Sequence, residues 1–418
     1  MHIGTGKLVS QIARLLCAAA LCFTAGYASV QAAEIGVSET SIRFGGVLDL
    51  EGLSSGLGRG MKAGIEAAFA GQLIRNRSLE YLTLNDFYNP ATTVEATHQL
   101  VAEGVFAMVG NVGTSTAAKS LPILARKGVP AVGFFTGADL LRPGVGDIIN
   151  YRASYVQETA SIIRAAVDNG VPASGVCAFV QNDAYGMAGV TGIKLALSEL
   201  SGTAGVVDKL DEILDMRGDN APRNGLGPVG FYARNTVRAR EGYDSLKAWE
   251  RSAGAACKVV VTVGVYPAIA NFAGYARHKK EDWIISAVSF TGAEDLRSAL
   301  QDFRADANVL MTQVVPPLDS LLPIVAQAKT ALGDAFGYVS LEGYIVGRLV
   351  VEALERIEGE ITREAFLDTM RGQAFDIGGL ALDFSDDNQG SDLVQVTYLS
   401  ESGYVSASRR GLRRIFRQ

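Results

Sequence analysis

The segment Gly110–Ser115 has side chains suited to binding a carboxylate. It places the hydroxyls of Thr114 and Ser115 directly after a glycine, ahead of a predicted helix. Free N–H groups at the start of a helix attract a carboxylate. The same two residues could do no more than cap the helix, and one residue can do both. We expect Thr114 and Ser115 to contact a ligand.

Two further segments supply aromatic and hydroxyl groups that could wall a pocket. Phe134 and Phe135 end a predicted strand and precede Thr136, and one of the two rings is expected in the core. Tyr185 lies in Gln181–Gly186, after another predicted strand. Its amphipathic side chain can close over a ligand or simply pack at the start of a helix. We expect these side chains to line the same pocket as the hydroxyls.

Sequence motifs for catalysis and for nucleotide binding are missing at the strand–helix junctions. The Gly186-x-x-Gly189-x-x-Gly192 spacing lacks the G-x-G start of a dinucleotide site, and no G-x-x-x-x-G-K-[ST], G-x-S-x-G or H-E-x-x-H motif occurs there. Only His98 and His278 follow residue 33, which disfavours a histidine-based triad. We therefore expect no enzyme, no cofactor and no metal site.

The elements that must hold these segments alternate between strand and helix. Short apolar strands separated by long helical segments indicate βαβ units and a parallel sheet, and a ligand then lies beyond the carboxyl ends of the strands. Asp215–Gly230 is rich in Gly, Asn and Pro and is predicted to be a long surface loop. The predicted strands include Leu79–Leu84, Val105–Val109, Val129–Phe135, Val176–Val180, Lys258–Val263, Trp283–Ile285 and Val309–Val315.

Composition indicates a large, acidic, well-folded protein. A single core usually stops growing at about 250–300 residues, so 418 residues predict two lobes. The formal net charge of −6 disfavours a nucleic-acid partner, because such domains are typically basic.

Residues 1–33 have the pattern of a secretory signal peptide. Two basic residues precede the apolar run Leu15–Phe23, and small residues extend to Ala32 and Ala33, near which cleavage is expected. A membrane anchor is the alternative, but it needs about 20 apolar residues and this run is shorter.

Export would leave Cys177 and Cys257 as the cysteines of the mature chain. We expect two buried thiols on strands, and a disulfide is the alternative in an oxidising compartment. The arginine-rich end of the chain, residues 409–417, is expected to be solvated and partly frayed.

Several short motifs, in their order along the chain, resemble those of one protein family. They resemble the type I periplasmic substrate-binding proteins of ABC transporters, the leucine/isoleucine/valine-binding protein family, from Ile42 to about Val405. The motifs are Phe44-Gly45-Gly46-Val47-Leu48-Asp49-Leu50, Gly60-x-x-x-Gly64, Leu84-Asn85-Asp86-Phe87-Tyr88-Asn89-Pro90, Tyr151-Arg152-Ala153-Ser154-Tyr155-x-x-Glu158, Arg234-Asn235-Thr236 and Leu341-Glu342-Gly343-Tyr344.

The resemblance implies an α/β fold of two Rossmann-like lobes with parallel sheets, joined by three crossing segments, with a ligand held between the lobes. We place the crossings near Tyr151, near Pro316 and near Gly378–Asp392. Lobe one would comprise 34–150 plus 317–380, and lobe two 151–316 plus 381–418.

The resemblance also implies roles for individual residues. Thr114 and Ser115 match the hydroxyl that binds the ligand carboxylate, and Phe134 and Thr136 match the next carboxylate- and amine-binding pair. Leu57 matches a bulky pocket residue of the family. Tyr185 and Tyr266 match two tyrosines of lobe two that close on the ligand.

The chain departs from the family at the position that pairs with a ligand ammonium. Amino-acid binders carry an acidic residue after the strand predicted at Trp283–Ile285, whereas this chain has Ser286–Phe290 without a carboxylate. A buried ammonium without a counter-charge is costly. A carboxylate ligand without an amine, and with an aromatic group, is therefore an alternative to a branched-chain amino acid, unless Glu342 or Asp49 supplies the charge.

We therefore expect a monomeric, non-catalytic periplasmic protein that binds a small carboxylate-bearing ligand. Hinge closure would bring Tyr185, Tyr266 and Ser289 over the ligand, and the permease subunits of an ABC importer would recognise the closed form. The alternatives are a sensory protein of the same fold that reports to a receptor or kinase, and an exported enzyme.

Overall fold

The computed structural model describes residues 34–417, so the predicted signal peptide at 1–33 lies outside the described residues. No helix of the described part is both long and apolar enough to cross a membrane. The strands are β1 (Ser41–Leu48), β2 (Leu73–Ile74), β3 (Arg77–Asn85), β4 (Ala107–Val109), β5 (Ala131–Val132), β6 (Ile148–Ile149), β7 (Val176–Gln181), β8 (Val229–Tyr232), β9 (Val259–Val263), β10 (Ile284–Ala287), β11 (Val309–Gln313), β12 (Ala374–Ile377), β13 (Leu380–Asp383), β14 (Gln395–Ser400) and β15 (Gly403–Ser406). The α-helices are α1 (Ser55–Phe69), α2 (Pro90–Ala102), α3 (Thr114–Lys127), α4 (Tyr155–Asp168), α5 (Ala184–Ser198), α6 (Ala204–Asp215), α7 (Arg240–Ala253), α8 (Tyr266–His278), α9 (Ala293–Asp302), α10 (Pro323–Leu332), α11 (Tyr338–Glu355), α12 (Arg363–Asp368) and α13 (Arg409–Phe416).

Two sheets form the centres of two lobes. The first sheet has the order β2-β3-β1-β4-β5-β6, and its strands are parallel apart from β2, which forms an antiparallel hairpin with β3. The second has the order β15-β14-β11-β10-β9-β7-β8, with β11 to β8 parallel and β14 and β15 added as an antiparallel edge. We call the first sheet with its packed helices lobe one, and the second with its packed helices lobe two.

The chain moves from one lobe to the other more than once. It leaves the first sheet after β6, builds the parallel part of the second sheet, and then returns to pack α10 and α11 against α1. After the small hairpin β12–β13 it enters lobe two again as β14 and β15.

Glycines allow α1 and α11 to pack with their backbones almost in contact. A Cβ on Gly64 would lie 2.2 Å from the carbonyl oxygen of Ser340, and a Cβ on Gly343 would lie 2.5 Å from that of Met61. Larger residues at either position would push the two helices apart. This packing fixes α11, which carries Glu342, against α1 of lobe one.

Strand and helix types follow the sequence prediction, but several bounds differ. The strand predicted at Val129–Phe135 is only Ala131–Val132, because Gly133 adopts a left-handed conformation with φ of 58° and turns the chain. The loop predicted at Asp215–Gly230 runs from 216 to 228, and Val229 already begins β8. Within that loop Arg223 is buried and donates to the carbonyl oxygens of Ile213 and Gly218 at 3.2 and 3.1 Å.

Two predictions about the second half of the chain were wrong. Cys177 and Cys257 form a disulfide with their Cα atoms 5.7 Å apart, since β7 and β9 are neighbouring strands. The arginines at residues 409–417 are exposed, as expected, but the segment forms the helix α13 and is not a frayed tail: Ser408 caps it, and Phe416 is only 9% exposed. Neither the strand neighbours nor the apolar face of so short a helix is evident from local sequence.

Candidate functional site

Five buried aromatic rings meet between the two lobes. Phe290, in the turn between β10 and α9, lies 5.0 Å from the ring centre of Phe135 and 4.8 Å from that of Tyr185. Tyr155 lies 5.2 Å from Tyr185, and Tyr88 lies 6.4 Å from Phe290. We call these five residues the aromatic cluster. Rings from both lobes are thus in contact with one another in this structure.

The hydroxyl of Tyr185 has no hydrogen-bond partner among the described residues, although the side chain is fully buried. Burial raises the pKa of Tyr185 well above its usual range, so the hydroxyl remains a donor. A buried polar group normally finds a partner, and one without it calls for an explanation.

The hydroxyls of the Gly110–Ser115 segment are bonded within the protein. Thr114 and Thr136 share a hydrogen bond of 2.7 Å between their hydroxyls. Ser115, at the start of α3 in lobe one, donates to Oδ2 of Asp183 in lobe two at 2.8 Å. The predicted carboxylate-binding hydroxyl therefore bonds a carboxylate of this chain, and that bond joins the lobes.

Asp183 is the centre of what we call the Asp183 network. Its side chain is fully buried, and Oδ2 accepts hydrogen bonds from Ser115, from Gln181 at 2.8 Å and from Arg234 at 2.8 Å. Oδ1 accepts from the backbone N–H of Tyr185 at 3.1 Å and so caps α5. Both carboxylate oxygens of Asp183 are therefore engaged.

A second ionic cluster, the Arg152 network, lies beside the aromatic cluster. The guanidinium of Arg152, 1% exposed, sits 4.8 Å from the centre of the Phe135 ring. Its Nη2 donates to Oγ of Ser289 and to Glu158. Glu158 also accepts from the backbone N–H and hydroxyl of Ser289, at 2.7 and 3.0 Å, and from Thr312 at 2.5 Å.

Glu342 completes the Arg152 network but is held far more weakly. Its Oε1 lies 3.6 Å from Nε of Arg152, beyond hydrogen-bond distance. Burial raises the pKa of Glu342 to about 7, although the charge of Arg152 lowers it. Nε and Nη1 of Arg152 have no hydrogen-bond partner among the described residues.

The structure brings most of the predicted site residues together. Phe135, Tyr185 and Ser289 lie in the two clusters just described, and Leu57 and Tyr266 meet at Gly292, where a Cβ would lie 2.6 and 3.8 Å from their side chains. Phe134 is the exception, because it points into the core of lobe one with Leu121, Leu124 and other apolar side chains. Asp49 is engaged by its own turn, where it accepts from Gly52 and Ser54 at 2.7 and 2.8 Å.

Sequence reasoning assigned no role in the cleft to Phe290, Arg152 or Glu158. Phe290 directly follows Ser289, and the other two lie within a motif used only for the family resemblance. The carboxylate expected after β10 does exist, but Glu158 of α4 supplies it, and Arg152 already neutralises it. Only the long-range contacts between these residues reveal the arrangement.

Comparisons with known proteins agree with this architecture. A family model described as periplasmic binding protein matches residues 41–211. A possible leucine/isoleucine/valine-binding protein from Rhodopirellula baltica is 34% identical with a TM-score of 0.79, and the match covers 89% of this chain and 98% of that one. This chain belongs to the leucine/isoleucine/valine-binding family of type I periplasmic binding proteins. The predicted family and fold class are confirmed.

More distantly related solved structures share the fold. A valine-bound branched-chain amino acid ABC transporter protein from Thermus thermophilus is 17% identical with a TM-score of 0.68, covering 90% of this chain and 96% of that one. A solute-binding protein from R. palustris in complex with 4-hydroxybenzoate is 15% identical with a TM-score of 0.68, covering 88% and 96%. No curated protein sequence matches this chain. The family is one of binding proteins, not enzymes.

Proposed function

We propose that this protein captures a small carboxylate-bearing ligand between its lobes and delivers it to the permease subunits of an ABC importer. The observation that carries the proposal is the contact of Phe290 with both Phe135 and Tyr185, because it joins side chains of the two lobes in a closed cleft. Hinge closure around a ligand is a recurrent motion in periplasmic binding proteins.

The proposed ligand contacts are the residues that line this cleft. Thr114, Ser115 and Thr136 would supply hydroxyls, and Tyr185 would supply a buried hydroxyl donor that the protein itself leaves unpaired. The walls would be Phe135, Leu57 and Tyr266, with Ser289 near the charged groups.

An aromatic acid fits the cleft better than a branched-chain amino acid. Five rings offer stacking surfaces, and the carboxylates of Asp183 and Glu158 are already paired with arginines. Of the candidate counter-charges only Glu342 accepts no hydrogen bond from a described residue, and it faces the guanidinium of Arg152, which would repel an ammonium. Among the structural neighbours, one protein binds valine and another binds 4-hydroxybenzoate, both of which carry a carboxylate.

We also propose where the chain is processed, where it works and how it divides into lobes. Residues 1–33 would be cleaved near Ala32 or Ala33, and the mature monomer would work in the periplasm. We assign 34–150 plus 317–380 to lobe one and 151–316 plus 381–418 to lobe two.

A thermal-shift screen of amino acids, aromatic acids, short amides and dicarboxylates tests the function. At 100 times its dissociation constant, a true ligand stabilises the protein by about 2.7 kcal/mol and raises the melting temperature clearly. Tyr185→Phe should leave the ligand-free protein as stable as the wild type, because the lost hydroxyl has no partner among the described residues. It should lower the affinity for the ligand about tenfold.

Tyr404→Phe is the matched control, because Tyr404 of the β14–β15 hairpin also carries a hydroxyl without a partner. It should leave both stability and affinity unchanged. Equal ligand shifts in wild type and Tyr185→Phe would contradict the assignment of the cleft, and chemical turnover of a bound compound would contradict the binding function itself.

A further inference from the structure

We propose that Arg152 receives the carboxylate of the ligand in exchange for Glu342, and that the ligand carries no ammonium group. This inference rests on the proposed function, since it concerns the chemistry of the same cleft. It assigns the anchoring role to a residue other than the hydroxyls of the Gly110–Ser115 segment.

The hydroxyls of this segment are already bonded in the closed structure, one of them to a negative charge. Ser115 donates to Asp183, so a ligand carboxylate at Ser115 would have to displace or face that carboxylate. Thr114 is bonded to Thr136. The segment can contact the ligand, but it is a poor place for a second anion once the cleft has closed.

Arg152 is a buried cation whose N–H donors are only partly paired with described residues. The guanidinium is 1% exposed, yet Nε and Nη1 have no hydrogen-bond partner within residues 34–417, and leaving buried charged donors unpaired is costly. The Phe135 ring, 4.8 Å away, holds the guanidinium beside the aromatic cluster. A planar fork of N–H donors in a fixed position matches a carboxylate better than any other ligand group.

The two glutamates that face Arg152 differ in how firmly they are held. Glu158 accepts hydrogen bonds from Ser289 and Thr312 as well as from Arg152, which fixes it in place. Glu342 lies 3.6 Å from Arg152 and accepts no hydrogen bond from a described residue. Glu342 is therefore the replaceable partner.

A proton can neutralise Glu342 when a ligand carboxylate arrives. The charged or titratable groups that face it are Arg152 and Tyr151 of the segment between the lobes, Glu158 of α4, and Arg142, which donates to the carbonyl oxygen of Arg152 at 2.7 Å. At the amino end of α11, Glu294 of α9 accepts from the backbone N–H of Tyr338 at 3.0 Å. A pKa of about 7 lets Glu342 take up a proton readily, so the exchange leaves the net charge of the cluster unchanged.

In this exchange Glu342 is protonated, so no free carboxylate remains for a ligand ammonium. An ammonium beside Arg152 would be repelled, and both Asp183 and Glu158 already pair with an arginine. Two matched pairs of probes test this point, 3-phenylpropanoate against phenylalanine and 4-methylpentanoate against leucine. Each pair differs in the amine, and the amine-free acid should bind more tightly in at least one pair.

The decisive experiment is isothermal titration calorimetry with the better-bound acid at pH 6 and pH 8. The affinity of the wild type should fall about tenfold over this range, because deprotonated Glu342 competes for Arg152 above pH 7. Glu342→Gln should bind with the same affinity at both pH values. Glu355→Gln, which removes an exposed carboxylate from the same helix, should behave like the wild type.

A second variant tests the anchor directly. Arg152→Lys keeps the positive charge but loses the planar fork of donors. It should lower the affinity for the acid at least tenfold, while circular dichroism shows an intact fold. Acids that bind with no pH dependence, and equally well to Glu342→Gln and Arg152→Lys, would overturn the inference and leave the proposed function standing. If both amino acids bound more tightly than their amine-free acids, the claim that the ligand lacks an ammonium would be overturned. If no carboxylate in the screen bound at all, the proposed function would be overturned as well.

Discussion

The Asp183 network and the Arg152 network are both buried ionic clusters, but they differ in how completely their groups are paired. In the first, one carboxylate accepts four hydrogen bonds, and the arginine that pairs with it also reaches Asp219 at 3.1 Å. In the second, one guanidinium faces two carboxylates, while two of its nitrogens have no partner.

This difference indicates two kinds of work. A fully bonded cluster that joins the lobes through Ser115 stabilises the closed form and gains nothing from a ligand. A cluster with unpaired donors and a weakly held carboxylate gains when a ligand supplies the missing acceptor. Under the proposed function, the two clusters would separate the closing of the cleft from the recognition of its contents.

The largest effect should follow the loss of Arg152. Arg152→Met leaves Glu158 and Glu342 buried without their cation, which should cost about 4 kcal/mol of unfolding free energy at pH 8 in urea denaturation. At pH 5 the cost should be smaller, because Glu342 is then protonated. Arg164→Met, which affects an exposed pair with Glu199, should change stability by less than about 0.5 kcal/mol, and an equally small change for Arg152→Met would refute the comparison.

Removing the charge of Glu342 should have the next largest effect. Folded Glu342 has a pKa of about 7 against an ordinary value of 4.5, so the folded state holds an extra proton between these pH values and stability falls as the pH rises through them. The unfolding free energy of Glu342→Gln minus that of the wild type should therefore be roughly 3 kcal/mol larger at pH 8 than at pH 4. Denaturation curves at both pH values measure this difference, and Glu355→Gln should lack the effect. A difference that does not depend on pH would mean that burial does not raise the pKa of Glu342.

A smaller effect should follow the loss of the interlobe hydrogen bond. Ser115→Ala removes one donor from Asp183 and should destabilise the closed form by about 1.5 kcal/mol, leaving the lobes themselves unchanged. Fluorescence transfer between dyes on the two lobes should then report a larger open population. Ser198→Ala, at the exposed end of α5, is the control, and identical open populations in both variants would show that this bond does not hold the lobes together.

Local sequence patterns predicted the elements and some of the cleft, but not the ionic clusters. Hydroxyls after a glycine and a tyrosine after a strand predicted that Ser115 and Tyr185 lie beyond strand ends, and the structure places both in the first turns of helices there, because parallel sheets gather those ends at one edge. The contact between Arg152 and Ser289 spans 137 positions, and no periodicity reports a contact at that range. The family resemblance assigned the ligand-binding match to Phe134, but Phe134 packs in the core of lobe one and Phe135 contacts Phe290, which two adjacent rings in a sequence do not reveal.

The disulfide between Cys177 and Cys257 has a practical consequence for anyone preparing this protein. It closes a loop with a sequence separation of 80, and a cross-link of that span contributes about 4 kcal/mol in the chain-entropy model. Overproduction in a reducing cytoplasm would yield the dithiol form. Lobe two of that form would unfold at a lower temperature, and the transition in every thermal-shift measurement would broaden. Samples for ligand screening should therefore be exported or oxidised, and their free thiols counted before any titration begins.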